Sequence, residues 1–496
     1  MRGAGAPVLL LTLGGLAVAA DAPVPLGPCG PITRTHDALE VLGAQLHHLG
    51  GTPLARLGLL AFRAGRPVPI PFQVDERRGR KLALPGGPEP TADDKPGVLD
   101  ADDLLVFAAC DAGEHASAAE LARALDEAGA GAAWRELRIE DPAEHTHGFV
   151  YLVSAERPPA TERRYVAYAP EGDLVRSARY RVGLVNALPT YFVLAAGPSP
   201  GPNLIDGLRL RAEATLRADL AHWALDEQHG HHELIAWKAG PVRVVRRSRH
   251  QVVLGLGIHL TAGLAHTYFY PEHVYGPGTL KLPFSPGILF RDITAYGGVD
   301  GRDLRGWRYF APGTPPEGFA VDGHMDGKER AFASSGEWFV LAHEREALLF
   351  VTRMSENLRR GITLSLVYRD DASRPNPPED APGTVPLVGY RGRGIEKLPG
   401  GRYEFALRIY ALPGYRRGDE QRLLAQLDAP LTVEVTAESP PGARPNDAPA
   451  AAKTPVAASG VLARPGSFAS HSSVTRAGSR PPAARAAAPT GPRSGS

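Results

Sequence analysis

Apolar and polar residues alternate with a period of two over many short segments of the chain. This is the pattern of strands that bury one face. In the segment 208–216, five apolar residues alternate with Arg209, Arg211, Glu213 and Thr215. The same alternation recurs in segments 149–153, 362–368, 403–409 and 431–435. Because such segments are numerous and helical patterns are few, the sequence predicts a mainly β protein. We expect antiparallel β-sandwich architecture with more than one packed sheet unit.

Two local patterns refine this expectation. The first is a capping box, Ser117-Ala118-Ala119-Glu120, with Leu121 and Leu125 one helical turn apart, and it predicts a short helix over 117–129. The second is an alternating segment, 68–74, with prolines at positions 67, 69 and 71. Since proline has no N–H to donate, this segment is predicted to be an edge strand with one side unpaired.

Composition divides the chain into four parts. Residues 1–20 combine Arg2, an apolar stretch and Ala17-Val18-Ala19, as in a secretory signal peptide. We expect an N-terminal β-rich region at 21–160 and the main β-sandwich at 161–437. The segment 438–496 is dominated by Ala, Pro, Ser, Gly and Arg, which predicts a disordered tail.

The predicted signal peptide indicates a periplasmic or secreted protein. No later apolar stretch has the length of a transmembrane helix. Cys29 and Cys110 are the chain's two cysteines. In an oxidising compartment, the simplest expectation for such a pair is one disulfide.

The charge balance and the missing motifs narrow the function. A formal net charge of +1 argues against nucleic acid as the main partner, because that affinity comes largely from phosphate neutralisation. The chain has no Gly-x-Ser-x-Gly, no phosphate loop, no dinucleotide fingerprint and no His-Glu-x-x-His. Glycan-active enzymes stay open, since their paired carboxylates need no local motif.

An acidic segment, 93–103, precedes a short apolar run. Asp94, Gly97, Asp100 and Asp103 fall at the third, sixth, ninth and twelfth positions of a twelve-residue loop. The segment resembles the calcium loop of EF-hand and dockerin-type repeats. That resemblance implies calcium as a cofactor, with Asp94, Asp100 and Asp103 as ligands.

The loop departs from the pattern at its first and fifth positions, where Ala92 and Pro96 replace carboxylates. The alternative interpretation is a solvated acidic loop without metal. For the rest of the chain no family is recognised.

Two further clusters carry candidate chemistry. His229, His231 and His232 form the densest imidazole group, which suits zinc or copper; the alternative is a polar hairpin loop. The second cluster is the aromatic segment 267–275.

In that segment, Tyr268 and Tyr270 are candidates for stacking on a sugar ring, and Trp307 is a third ligand-binding candidate. His273 or a tyrosine, Tyr275 being the candidate, could act as general base, with Glu272 or another carboxylate as the orienting group. Aromatic packing at a sheet edge is the alternative.

Three hypotheses follow. The first is a non-enzymatic envelope or extracellular module that binds a glycan or an envelope protein. The second is a polysaccharide-degrading lyase or hydrolase with its site near His273 and Tyr275. The third is a periplasmic metal-binding protein that uses the histidine cluster.

Overall fold

The structure is a computed structural model that describes residues 22–129, 132–195, 201–219, 221–254, 258–344, 346–374 and 383–436. The predicted signal peptide and the predicted C-terminal tail lie outside the described residues. None of the described helices has the length and apolarity that crossing a bilayer requires.

The described residues form 28 strands and four α-helices, which confirms the mainly β class. The N-terminal elements are β1 (Ala38–Leu42), β2 (Leu57–Arg63), β3 (Arg66–Pro69), β4 (Phe72–Asp75), β5 (Arg77–Arg78), β6 (Lys81–Leu82), β7 (Leu104–Ala108), α1 (Ala118–Ala128), β8 (Ala133–Asp141) and β9 (Thr146–Ser154). The next are β10 (Val166–Ala169), β11 (Leu174–Ser177), β12 (Tyr180–Val185), β13 (Leu188–Leu194), β14 (Ile205–Leu216), β15 (His222–Leu225), β16 (Gly230–Ala239), β17 (Val244–Leu254), β18 (Ile258–Phe269), β19 (His273–Leu282) and β20 (Phe290–Gly301). The last are β21 (Arg308–Phe310), β22 (Phe319–Ala320), α2 (Gly327–Arg330), β23 (Trp338–His343), β24 (Glu346–Met354), α3 (Glu356–Gly361), β25 (Thr363–Arg369), β26 (Leu387–Arg393), β27 (Gly401–Leu412), α4 (Asp419–Asp428) and β28 (Thr432–Val435).

Pairing is antiparallel throughout the described sheets. The N-terminal region contains a three-stranded sheet, β1-β7-β4, a five-stranded sheet, β28-β8-β9-β2-β3, and the small hairpin β5-β6. The rest of the chain forms a four-stranded sheet, β10-β11-β12-β13, a second five-stranded sheet, β15-β14-β20-β26-β25, and a nine-stranded sheet, β16-β17-β18-β19-β27-β24-β23-β21-β22.

The N-terminal sandwich packs the three-stranded sheet on the first five-stranded sheet. Leu39 and Phe107 from one sheet meet Leu59 and Leu152 from the other in a common buried cluster. The last described strand, β28, belongs to this sandwich and not to the main one, because Val433 pairs with Ile139 of β8. The last described strand is therefore an edge strand of the N-terminal sandwich.

Helix α1 covers the outer face of the same five-stranded sheet, where Leu121 packs with Phe62 and Tyr151. Ser117 caps the helix and forms the predicted capping box with Glu120, and the helix ends at Ala128. The predicted helix is confirmed. The predicted disulfide between Cys29 and Cys110 is also formed, with an S–S distance of 2.02 Å.

The proline-rich segment is two strands and not one. β3 is an edge strand of the five-stranded sheet, as the prolines predict. The chain then leaves that sheet at Ile70–Pro71, and β4 pairs with β7 at the edge of the three-stranded sheet. Period-two alternation continues through the crossing, so the pattern alone does not reveal the change of sheet.

The main core lies between the nine-stranded sheet and the sheets that face it. Phe339 and Phe350 of the nine-stranded sheet share one buried cluster with Tyr180 of the four-stranded sheet and Tyr368 of the second five-stranded sheet. Together the two cores confirm sandwich architecture with more than one packed unit.

The three-stranded sheet also contacts the nine-stranded sheet, so it is covered on both faces. Val106 packs there with Tyr270 and Tyr275. Beside this contact, the Arg243 side chain is only 1% exposed. Its Nε donates to Asp75 Oδ2 at 2.8 Å, and its Nη1 donates to the Tyr270 hydroxyl at 2.8 Å.

Further contacts complete this ion pair. Arg243 also bonds Glu40, and Lys238 Nζ lies 3.2 Å from Asp75 Oδ1. Burial acts to raise the pKa of Asp75, but the charges of Arg243 and Lys238 outweigh it and hold the pKa below its ordinary value. The pair therefore joins the two sandwiches through permanently charged groups.

We predict that Arg243→Met lowers the free energy of unfolding by about 3 kcal/mol or more, because it leaves the buried carboxylate of Asp75 short of its main partner. Urea titration would measure this loss. The double variant Arg243→Met with Asp75→Asn should lose less than Arg243→Met alone, since it removes the unpaired charge. An equal or larger loss in the double variant would contradict the assignment.

Candidate functional site

A polar cavity of about 340 Å³ opens where the N-terminal region meets the main sandwich. It is lined by Thr33, Arg34, Thr35, His36, Glu144, Arg179, Glu272, Leu412, Pro413, Gly414, Asp419, Arg422, Leu423 and Gln426. We call this space the polar cavity. Its wall combines cationic, anionic, amide and hydroxyl groups with a small apolar patch.

Local structure explains how distant segments reach the polar cavity. Residues 33–36 lie between the disulfide-bonded Cys29 and the start of β1. Glu272 lies in the tight turn from β18 to β19, which is closed by a hydrogen bond from Tyr270 N to His273 O at 2.9 Å. Helix α4 contributes Asp419, Arg422, Leu423 and Gln426.

Glu272 is a buried charged group of the cavity wall, with only 4% of its surface exposed. Arg179 Nε donates to its Oε1 at 3.2 Å. His36 Nδ1 lies 3.0 Å from its Oε2, at an angle that does not make an aligned hydrogen bond.

These contacts fix the charge of Glu272. Burial acts to raise its pKa, but His36, Thr35 and Arg179 outweigh burial and lower the pKa to about 2. Glu272 is therefore a carboxylate at neutral pH. It can accept hydrogen bonds from a ligand, and it has no proton to donate.

Arg34 fixes the other side of the cavity. Its Nε donates to Asp141 Oδ2 at 2.7 Å, and its guanidinium also donates to the backbone carbonyls of Gln426, at 3.0 Å, and Ala429, at 2.9 Å. The N-terminal sandwich and the C-terminal end of α4 are thereby held together. These hydrogen bonds fix the Arg34 side chain in the cavity wall.

The structure separates the three predicted catalytic residues. Glu272 lines the polar cavity, whereas His273 and Tyr275 are not among its lining residues. His273 is 2% exposed, and its ring stacks between Tyr270, at 4.6 Å, and Tyr410, at 5.1 Å.

The surroundings of these two residues keep both neutral. Burial, together with the charge of Arg408, holds the pKa of His273 well below its ordinary value. Burial raises the pKa of Tyr275, and the Arg408 guanidinium lies over its ring at 4.5 Å. The sequence pattern predicts Glu272 as the carboxylate partner of His273. In the structure this carboxylate contacts His36 and Arg179.

The three aromatic ligand-binding candidates do not form an open strip. Tyr268 is half-buried and stacks near Tyr270, with ring centres 6.4 Å apart. Tyr270 is buried. Trp307 lies elsewhere, in the main core, where it stacks on His343 at 5.6 Å.

The predicted histidine cluster divides into separate contacts. His229 Nδ1 lies 2.8 Å from Asp226 Oδ1, and His231 is exposed. His232 Nδ1 instead lies 2.7 Å from Nδ1 of His250 on the neighbouring strand. Burial and the nearby His232 lower the pKa of His250 to about 4. These side chains do not converge on a common centre.

The acidic loop does bring carboxylates together, but with one difference from the prediction. One oxygen each of Asp93, Asp100 and Asp103 lies within 4.8 Å of the others, and within the described ranges no second such group of three ligand side chains occurs. Asp94 is exposed and outside this group. Burial, with the charges of Asp100 and Asp93, raises the pKa of Asp103 to about 6.

His36 and Arg179 were not predicted from the sequence. Residues 33–36 are a short polar stretch without a motif, and Arg179 lies in a turn between β11 and β12. Their common feature is contact with Glu272, which depends on the fold. The position of residues 33–36 soon after a disulfide-bonded cysteine is the one local sign that this stretch is held in place.

No protein-family model matches the sequence, and no curated protein matches it significantly. Among solved structures, an alpha-mannosidase from Enterococcus faecalis V583 is 9% identical with a TM-score of 0.40, and the match covers 83% of this chain and 45% of that one. A glycosyl hydrolase family 38 protein from Enterococcus faecalis is also 9% identical with a TM-score of 0.40. That match covers 83% of this chain and 47% of the other.

A galactose mutarotase-like protein from Clostridium acetobutylicum is 10% identical with a TM-score of 0.21, and the match covers 51% of this chain and all of that one. The chain spans less than half the length of the first two proteins. Likenesses at these TM-scores carry no argument about function.

We predict that Glu272→Gln changes the acid sensitivity of the fold. A carboxylate whose folded pKa is depressed stabilises the fold above its unfolded pKa, 4.5, and loses this contribution as pH falls towards its folded pKa of about 2. The gap in unfolding free energy between the wild type and Glu272→Gln should therefore shrink by about 3 kcal/mol between about pH 6 and about pH 2. Urea titrations across this range would measure the gap.

Glu171→Gln is the matched control, because Glu171 is an exposed carboxylate in a turn away from the polar cavity. It measures what the loss of one carboxylate outside the cavity wall does to the stability at each pH. A pH-independent gap for Glu272→Gln would show that its carboxylate is not held by His36 and Arg179.

Proposed function

We propose that the protein is an exported binding protein whose polar cavity holds a carbohydrate-like ligand. The observation that carries this proposal is the buried carboxylate of Glu272, held ionised between His36 and Arg179 in the wall of a 340 Å³ cavity. Pockets of this size are typical of small-molecule sites.

The chemistry of the wall supports a ligand rich in hydroxyl groups. A hydroxyl both donates and accepts, so a sugar needs acceptors and donors close together. Glu272 and Asp419 supply acceptors, while Arg179 and Arg422 supply donors. A fixed carboxylate beside a fixed guanidinium offers both to neighbouring hydroxyls.

The apolar patch supports the same ligand class. Leu412, Pro413 and Leu423 line one part of the polar cavity. Sugar rings carry C–H groups on their faces, which pack on such surfaces, whereas a fully polar ligand gains nothing there. A mixed wall therefore fits a carbohydrate-like molecule better than a simple inorganic anion.

The disulfide supports export to the periplasm or the cell exterior. Disulfides such as Cys29–Cys110 persist in oxidising compartments and are rare in the cytosol. This agrees with the predicted signal peptide at residues 1–20.

A second candidate function, polysaccharide degradation, is favoured by the carboxylate–imidazole contact between Glu272 and His36. In this variant of the proposal His36 replaces the predicted His273 as general base, and Glu272 is the carboxylate beside it. His36 has the access that His273 lacks, because it lines the polar cavity.

The proposal is tested by screening the purified protein on an array of neutral and acidic oligosaccharides, followed by calorimetric titration with the strongest binder. Glu272→Gln should weaken that binding by about tenfold or more, since a hydrogen bond to a charged group is lost. Glu171→Gln should bind as the wild type does.

Absence of binding to every oligosaccharide, or equal affinities for the two variants, would contradict the proposal. Release of new reducing or unsaturated ends from the bound oligosaccharide would select the enzymatic alternative. His36→Ala should then abolish that release.

A further inference from the structure

Oδ1 of Asp93 is a buried carboxylate oxygen of the N-terminal region. The residue is only 8% exposed, and this oxygen is buried without a hydrogen-bond donor among the described residues. The other oxygen, Oδ2, accepts from Lys95 N at 3.3 Å. An unpartnered buried carboxylate oxygen is costly, because it has lost its hydration without compensation.

Asp93 belongs to a group of three carboxylates. One oxygen each of Asp93, Asp100 and Asp103 lies within 4.8 Å of the others. Two oxygens bound to a single Ca²⁺ can be at most about 5 Å apart, since each Ca–O distance is about 2.3–2.6 Å. The three side chains can therefore share one ion without rearrangement of the backbone.

Backbone hydrogen bonds hold the loop in this arrangement. Asp103 accepts from Arg77 N at 3.0 Å through Oδ1 and from Asp100 N at 2.9 Å through Oδ2. Gly97 has φ of +79°, a left-handed conformation that favours glycine, and its carbonyl accepts from Leu54 N at 2.9 Å. The loop is thus fixed on both sides of the carboxylates.

Among the described residues, one ion pair reaches the group. Lys95 Nζ lies 3.5 Å from Asp100 Oδ2, and the Lys95 side chain is 63% exposed. Within the described part of the chain, no ion pair is formed by Asp93 or Asp103. Three clustered carboxylates with one exposed cation beside them favour a bound divalent cation.

We propose that Asp93, Asp100 and Asp103 bind one Ca²⁺. All donors are oxygens, which hard cations prefer, and no nitrogen or sulfur ligand belongs to the group. Ca²⁺ is favoured over Mg²⁺ because Mg²⁺ keeps most of its water, whereas these carboxylates are buried. This inference is independent of the polar cavity.

The ion would stabilise the three-stranded sheet. Asp103 immediately precedes β7, and its Oδ1 bonds the backbone of Arg77 just after β4. A cation shared with Asp93 would tie the loop to the two strands that carry the contact with the nine-stranded sheet. Calcium therefore acts here as a structural ligand of the fold.

The test is calcium binding to the full-length chain after treatment with EDTA, by calorimetric titration with CaCl₂, alongside thermal melts with and without CaCl₂. We expect saturable binding of one ion per chain and a rise in Tm of about 3 °C. Asp93→Asn should weaken binding by about tenfold or more, and Asp103→Asn should do the same.

Asp94→Asn is the matched control, because Asp94 is adjacent in sequence but exposed and outside the group. It should bind calcium as the wild type does. Equal losses in Asp94→Asn and Asp93→Asn would overturn the assignment of the ligands. Absence of saturable binding by the wild type would overturn the site itself, whatever the variants do.

Discussion

The buried guanidinium of Arg243 is the constraint on which the arrangement of the two sandwiches depends. A charge removed from water must be met by charged partners, and these come from the three-stranded sheet, as Asp75 and Glu40. The same guanidinium bonds Tyr270, which closes the turn that carries Glu272. Glu40 belongs to β1, and β1 follows His36 almost directly. One ion pair therefore sets the position of both sides of the polar cavity.

The acidic loop and residues 33–36 of the polar cavity both lead into strands of the three-stranded sheet. The loop leads into β7, the central strand of the three-stranded sheet, whereas residues 33–36 lead into β1 at its edge. Both segments are loops that end in strands packed on two faces. Their side chains are held by rigid neighbours, which is how a protein places polar groups accurately without a local motif.

Local patterns in the sequence predicted those features of the fold that depend on residues close together in the chain. The helix from Ala118, the edge strand β3 and the class of the fold follow from capping, missing donors and period-two alternation. The contact between Arg179 and Glu272 joins residues 93 positions apart, so no local pattern contains it. The acidic loop could be predicted from the sequence only in part. Its composition indicated a cation, but the choice of Asp93 over Asp94 depends on which way each side chain leaves the backbone, and spacing does not determine that.

The pairing of β28 with β8 has a consequence for the order in which the protein acquires its structure. The first sandwich is made of strands from the beginning of the chain, yet its edge is completed only when residues 432–435 have been synthesised. Until then β8 presents unpaired backbone groups, a hazard for pairing between chains. Its sequence counters that hazard, because Arg135, Glu136, Arg138 and Glu140 place charges along the strand. The complete edge of the first sandwich therefore depends on a strand that is made after all the other described strands.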